Sequence, residues 1–175
     1  MSKKTYNVAI ALRTYAGTKP SRTRAIFHDN KYKLFKLCLK SLKDSLGNLK
    51  VKMFALLDSC SIEWEESFRI HFDSNDLEIM NLKSAGEIGS IKIAMNKLIK
   101  QNDSEIVFMA EDDYYYLPNQ FGKMIEFLKE NNDIHFVTPY DHLDLYTRVL
   151  HDYLSYIKVF AGKHWRNISL SLIHI

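Results

Sequence analysis

The sequence predicts an α/β protein: a mostly parallel sheet flanked by helices, in a single domain. Three observations carry this expectation. Short apolar runs alternate with longer stretches of helical period from residue 8 to residue 138. The first of those runs is continuous, as in a strand covered on both faces. The intervals between runs hold the crossover connections that parallel neighbours require.

Val8 to Leu12 is the first strand, five apolar residues in a row. Lys31 to Leu46 then places Phe35, Leu39, Leu42 and Leu46 on one helical face, with Gly47 positioned to end it. Val51 to Leu57 is the second strand, and Ser61 is expected to cap a short helix carrying Trp64, Phe68 and Phe72. Leu77 to Leu82 is the third strand. The next helix is expected from about Ser90 to Lys100, with Ile91, Met95, Leu98 and Ile99 facing inward. Ile106 to Ala110 is the fourth strand, and Phe121, Ile125 and Leu128 mark a helix after Pro118 and Asn119. A fifth strand is expected over Ile134 to Thr138, stopped by Pro139. Beyond Asp141 the rhythm is lost, and Leu143 to Phe160 reads equally as strands or as a bent helix. The last seven residues, "SLSLIHI", read as translated sequencing adapter. A gene fragment cut near Ile168 is therefore expected, with 169–175 a non-native tail.

A chain of 175 residues suits one domain with a substantial core. Its 46% hydrophobic and 26% charged residues are ordinary for a soluble protein. A net charge of +3 is too mild to point to nucleic acid, although it suits an anionic small molecule. Cys38 and Cys60 show no metal-type spacing and read as reduced core thiols, which points to the cytoplasm. Met1 to Lys4 is polar and the next apolar run is short, so no secretory leader is expected. No stretch approaches the length of a transmembrane segment.

Ligands of open parallel sheets bind outside the carboxyl ends of the strands. The first strand is followed by Arg13-Thr14-Tyr15 and a basic stretch with Lys19, Arg22 and Arg24. Asp58-Ser59 follows the second, and Lys83-Ser84-Ala85-Gly86 the third. The fourth runs into Glu111, Asp112 and Asp113 within "SEIVFMAEDDYYYLP", residues 104–118. Glu111 and Asp113 are two apart and would point the same way in extended backbone. Two hard oxygen ligands at that spacing suit Mg²⁺ or Mn²⁺, which take one or two carboxylates and complete their shell with water and phosphate. The alternative is that the triplet caps a helix or lies solvated on a loop.

In order and spacing, these features resemble the GT-A glycosyltransferases, family 2-like, over about residues 5–140. The shared features are the Arg13-Thr14-Tyr15 turn, the strand ending in Asp58, and an acidic DXD-type motif followed by aromatic residues and Pro118. The resemblance implies a GT-A-like core over 1–140 that binds a UDP- or GDP-sugar, with an acceptor-side region beginning over 141–168. It implies that Tyr15 and Asp58 contact the base and ribose, with Thr14 and Asp112 in the same substrate site. Asp113 would ligate the metal, with Glu111 on the ribose or the metal's water, and Lys92 would approach the uracil or phosphate. Two departures stand out: the motif is Glu-Asp-Asp, and Asp58-Ser59-Cys60 replaces a paired aspartate, which leaves the nucleotide undetermined.

In that setting "VTPYDHLD" supplies Asp141, His142 and Asp144 as candidate bases towards a glycan acceptor, against the alternative of a plain turn. His164 in "GKHWR" is a candidate to complete the metal shell. Tyr114, Tyr115 and Tyr116 either stack on sugar or base or face the core in part. A cytoplasmic enzyme, with peripheral association at the inner face of the membrane allowed, is the resulting expectation. The competing functions are a nucleotidyltransferase and a truncated, non-catalytic nucleotide-sugar-binding module. The first lacks its usual glycine-rich basic signature here, since "YAGTKPSRTR" holds a single glycine.

Overall fold

The computed structural model describes residues 5–17, 27, 30–139 and 156–167. The chain forms two compact units, Met1–Gly122 and Lys123–Ile175.

The first unit is a four-stranded parallel sheet flanked by helices. Its strands are β1 (Val8–Tyr15), β2 (Val51–Asp58), β3 (Leu77–Leu82) and β4 (Val107–Glu111), in the order β3-β2-β1-β4. The helices are α1 (Lys31–Leu46), α2 (Ile62–His71) and α3 (Gly86–Lys100). This arrangement is compatible with a Rossmann-like fold. The strand order reverses between β1 and β4, the kind of point at which open α/β sheets place their ligands.

Both faces of β1 are apolar because both are covered. Ala9 and Ala11 lie with Phe54, Leu56, Ala94 and Leu98 in one core layer, the layer that α3 covers. Ile10, Leu12, Met53 and Leu57 alternate onto the other face, and are fully buried together with Phe35, Leu39 and Leu42 of α1. Gly47 ends α1 at φ +55, as its place after the periodic run suggests. Asn30 begins the helix, its Oδ1 accepting the Lys33 N–H at 2.8 Å. Asn30→Ala removes that acceptor and is expected to cost about 1 kcal/mol in urea unfolding.

Four expectations are corrected. α3 starts at Gly86 rather than near Ser90, and it buries Ser90, Ala94 and Leu98. Met95 and Ile99 are exposed instead, because the helix lies on Ala9 and Ala11 and presents its small residues to them. Among the described residues β4 pairs with β1 alone, and Ala110 is buried while Val107 and Met109 stand exposed. Ser61 does occupy the position before α2, yet its hydroxyl donates to the Glu63 carboxylate and accepts no backbone N–H. Finally, no strand forms over 134–138, and Phe136 there is exposed. An apolar stretch becomes a strand only with a neighbour to complete its ladder, and this one has none among the described residues.

The helix α4 (Gln120–Glu130) runs from the first unit into the second. The second unit contains β5 (Ile157–Phe160) and β6 (Lys163–Arg166), an antiparallel hairpin; β5 ends the stretch that reads equally as strands or as a bent helix, and β6 lies beyond it. Ala161 and Gly162 join them, both at positive φ, which is the two-residue turn whose twist matches that of the strands. Trp165 stacks on Phe127 with ring centroids 4.1 Å apart.

Candidate functional site

Parallel pairing brings three strand ends to one edge of the first unit. Tyr15 lies in register with Asp58 of β2, and Arg13 with Glu111 of β4. Thr14, Tyr15, Asp58 and Glu111 to Asp113 therefore share the carboxyl edge, as the sequence predicts. What their side chains do there differs from one to the next.

Asp58 points to the α3 face of the sheet and is buried. Its Oδ2 accepts the Gly86 N–H at 3.0 Å, the first donor of α3, and its Oδ1 accepts from the Ser59 hydroxyl. A carboxylate at a helix N-terminus satisfies an orphan donor and complements the helix dipole.

Asp112 is the buried member of the acidic triplet. Its Oδ1 lies 2.7 Å from Lys31 Nζ, and its Oδ2 accepts the Tyr15 N–H at 3.2 Å. It thus ties the first residue of α1 to the last of β1. Burial raises its pKa above the ordinary carboxylate value, and Lys31 and the Tyr15 N–H offset only part of that rise.

Glu111 is half exposed and receives the Arg13 guanidinium at 3.1 Å. Arg13 also donates from Nε to Ser90 Oγ at 3.3 Å, so the cation bridges β1, β4 and α3. Asp113 is exposed and has no hydrogen bond or ion pair to a described residue. Because Asp112 and Asp113 belong to a turn, extended-strand geometry does not govern the Glu111–Asp113 pair.

The sequence reading missed Arg13 and Lys31 as partners of the acids. A signal was present for Lys31. A lysine at the first position of a helix opposes the dipole, so it needs a compensating acid elsewhere.

Thr14 is buried, and its Oγ1 has no hydrogen-bond partner among the described residues. The Tyr15 ring is half exposed at the mouth of the edge and lies against the Gly17 backbone. Lys92 is exposed in the second turn of α3 rather than the first, because that helix begins early. Of the three tyrosines, Tyr114 and Tyr115 are exposed. Tyr116 is core: its N–H bonds Ser41 Oγ and its ring meets Phe108 and Phe121. His164 is an exposed residue of β6, in the second unit. Asp141, His142 and Asp144 lie outside the described residues, as do Lys19, Arg22 and Arg24.

The thiol form of both cysteines is favoured at neutral pH. Both are free thiols, and burial first, then nearby Asp112, pushes each up to about 12. Among the described residues no three His, Cys, Asp or Glu side chains converge to hold a metal ion. The donors that remain are Asp113 and the half-exposed Glu111. That pair meets the minimum for Mg²⁺ or Mn²⁺ only if phosphate and water complete the shell.

No protein-family model matches the chain, and no curated protein matches it either. Among the described residues no helix is long and apolar enough to cross a membrane.

Proposed function

We propose that the carboxyl edge of β1, β2 and β4 binds a nucleoside diphosphate sugar, and that the chain carries the donor-binding core of a GT-A-type glycosyltransferase. The observation that supports this reading best is the gathering of Arg13, Tyr15 and Asp113 where the strand order reverses. That position, with an exposed aromatic ring, a cation and a spare carboxylate, suits a base, a diphosphate and a hydrated divalent ion.

In this reading Tyr15 offers its exposed ring to the base. Asp58, already engaged with Gly86 and Ser59, holds the start of α3 in place beside the ligand. Arg13 supplies fixed positive charge where the departing diphosphate gains negative charge. Asp113 and Glu111 would hold Mg²⁺ or Mn²⁺, whose chemistry is Lewis-acid stabilisation of that leaving group. Asp141 or His142 is the proposed base towards a glycan hydroxyl.

One observation favours a second reading. Glu111 and Asp112 already have Arg13 and Lys31 as counter-ions, so the acidic triplet is largely neutralised without any added cation. That fits a nucleotide-binding module that turns over no sugar.

Thermal shift with UDP, GDP and their sugars, with and without Mn²⁺, separates these readings. A donor at about a hundred times its Kd adds about 2.7 kcal/mol, a rise of roughly 5 to 10 °C for a chain of this size. The transferase reading expects that rise only with the metal, and expects Asp113→Ala to abolish it without moving the unliganded midpoint. A rise independent of both the metal and Asp113 supports the binding module. No rise with any nucleotide removes both.

A further inference from the structure

A second surface of the first unit combines charge with an apolar floor. Lys33, Lys36, Lys40 and Lys43 are all exposed on α1, at spacings of three, four and three, and so form one stripe about 15 Å long. The helix holds five lysines against a single acid, Asp44, which is paired to Lys40 at 2.6 Å. The apolar ridge of α1 buries Phe35 against Trp64 and Phe68 of α2, and this pins the two helices side by side. Between them runs an open groove of about 360 Å³. Lys36, Leu37 and Lys40 of α1 line it, with Ile70 and His71 of α2. Ile70 is 79% exposed and offers an apolar contact beside the groove.

We propose that this groove docks an acidic amphipathic helix of a partner protein, with apolar side chains against Leu37 and Ile70 and carboxylates over Lys36, Lys40 and Lys43. Charge complementarity selects the sign of the occupant, and shape selects its form. A bilayer surface is met by apolar groups that project beyond their basic neighbours. Here the apolar lining lies in a concave groove between two helices, which a ridge of side chains at helical spacing can enter. The inference stands apart from the nucleotide reading, since the residues of this groove are not those of the carboxyl edge.

His71 adds a dependence on pH. Burial, with Lys43 and Lys40 of α1, lowers its pKa below the ordinary value, and Asp44 opposes them. Carboxylates arriving beside the ring favour the imidazolium, so the complex takes up a proton and docking strengthens as the pH falls through the histidine range.

The test is fluorescence anisotropy with a labelled synthetic peptide bearing leucines on one helical face and glutamates on the other. A control peptide carries lysine at every glutamate position. Full-length chain is expected to bind the acidic peptide, more weakly as salt rises, and to bind the lysine control far less. Lys36→Glu with Lys40→Glu is expected to weaken binding about tenfold, and Ile70→Ser severalfold. All three side chains are at the surface, so the melting midpoint serves as the check on folding, and Lys36→Gln with Lys40→Gln repeats the test with a smaller change of charge. Equal binding of the two peptides overturns the proposal, as does an unchanged affinity in both lysine pairs. Co-sedimentation with phosphatidylserine vesicles, without binding of the acidic peptide, overturns it in favour of a lipid surface.

Discussion

Phe35→Ala is expected to lower the unfolding free energy by about 4 kcal/mol. The ring is fully buried. It stacks on Trp64 with centroids 4.6 Å apart and lies 5.5 Å from Phe68, so it is the piece of α1 around which α2 packs. Truncation removes the apolar area of a phenyl group and leaves a cavity that the rings of Trp64, Phe68 and Tyr32 cannot collapse to fill. For a chain of this length the midpoint should fall by roughly 10 °C. Phe35→Leu keeps most of the volume and should cost about 1.5 kcal/mol or less. Urea unfolding followed by circular dichroism checks both. A loss under about 1 kcal/mol in the alanine variant would falsify the packing assigned to this cluster. The effect extends to the carboxyl edge, because Lys31 begins the same helix four residues earlier.

Asp112→Ala is the second large effect, about 3 kcal/mol of stability at neutral pH. The change strands two groups at once. Lys31, whose side chain is only 17% exposed, loses its counter-ion, and the Tyr15 N–H loses its acceptor. Asp112→Asn keeps an acceptor for Tyr15 and should lose roughly half as much. A double-mutant cycle with Lys31→Met isolates the pair and should return a coupling of about 1 to 2 kcal/mol.

The pH dependence has a definite sign. Burial raises the folded pKa of Asp112 above the ordinary 3.8, so in the window above that value the folded state holds the extra proton. Stability from this group is therefore greatest below 3.8 and declines as the pH rises through the folded pKa. The advantage of wild type over Asp112→Asn should shrink across that window. An advantage that grows instead would mean that the ion pair with Lys31 outweighs burial.

Much of the first unit was legible because its signals are local. The apolar run at Val8 and the four-residue spacing of Trp64, Phe68 and Phe72 each reflect burial that periodicity records directly. The exposed face of β4 and the inward face of α3 were not legible. Both depend on what lies against each element, as when a helix closely approaches two alanines. In the second unit the choice between strands and a bent helix stayed open, because four-residue strands are too short to show a period and the hairpin's turn places an alanine, not only a glycine, at positive φ.

For the carboxyl edge, strand order and the acid at the end of each strand could be read in advance. The pairing could not. Three adjacent acids suggested a shared need for a cation, whereas the fold sends them three ways: Glu111 to Arg13, Asp112 inward to Lys31, and Asp113 to solvent. Sequence adjacency at a turn says little about shared direction.

One glycine governs how the mouth of that edge is furnished. A methyl group at position 17 would fall 2.4 Å from the Tyr15 ring, too close for the ring to stay where it is. Any side chain introduced there swings the phenol away, which makes this single position a dial for how far the aromatic plate reaches over an incoming molecule. Library design aimed at altering what the edge accepts can therefore begin at residue 17 and leave every charged group untouched.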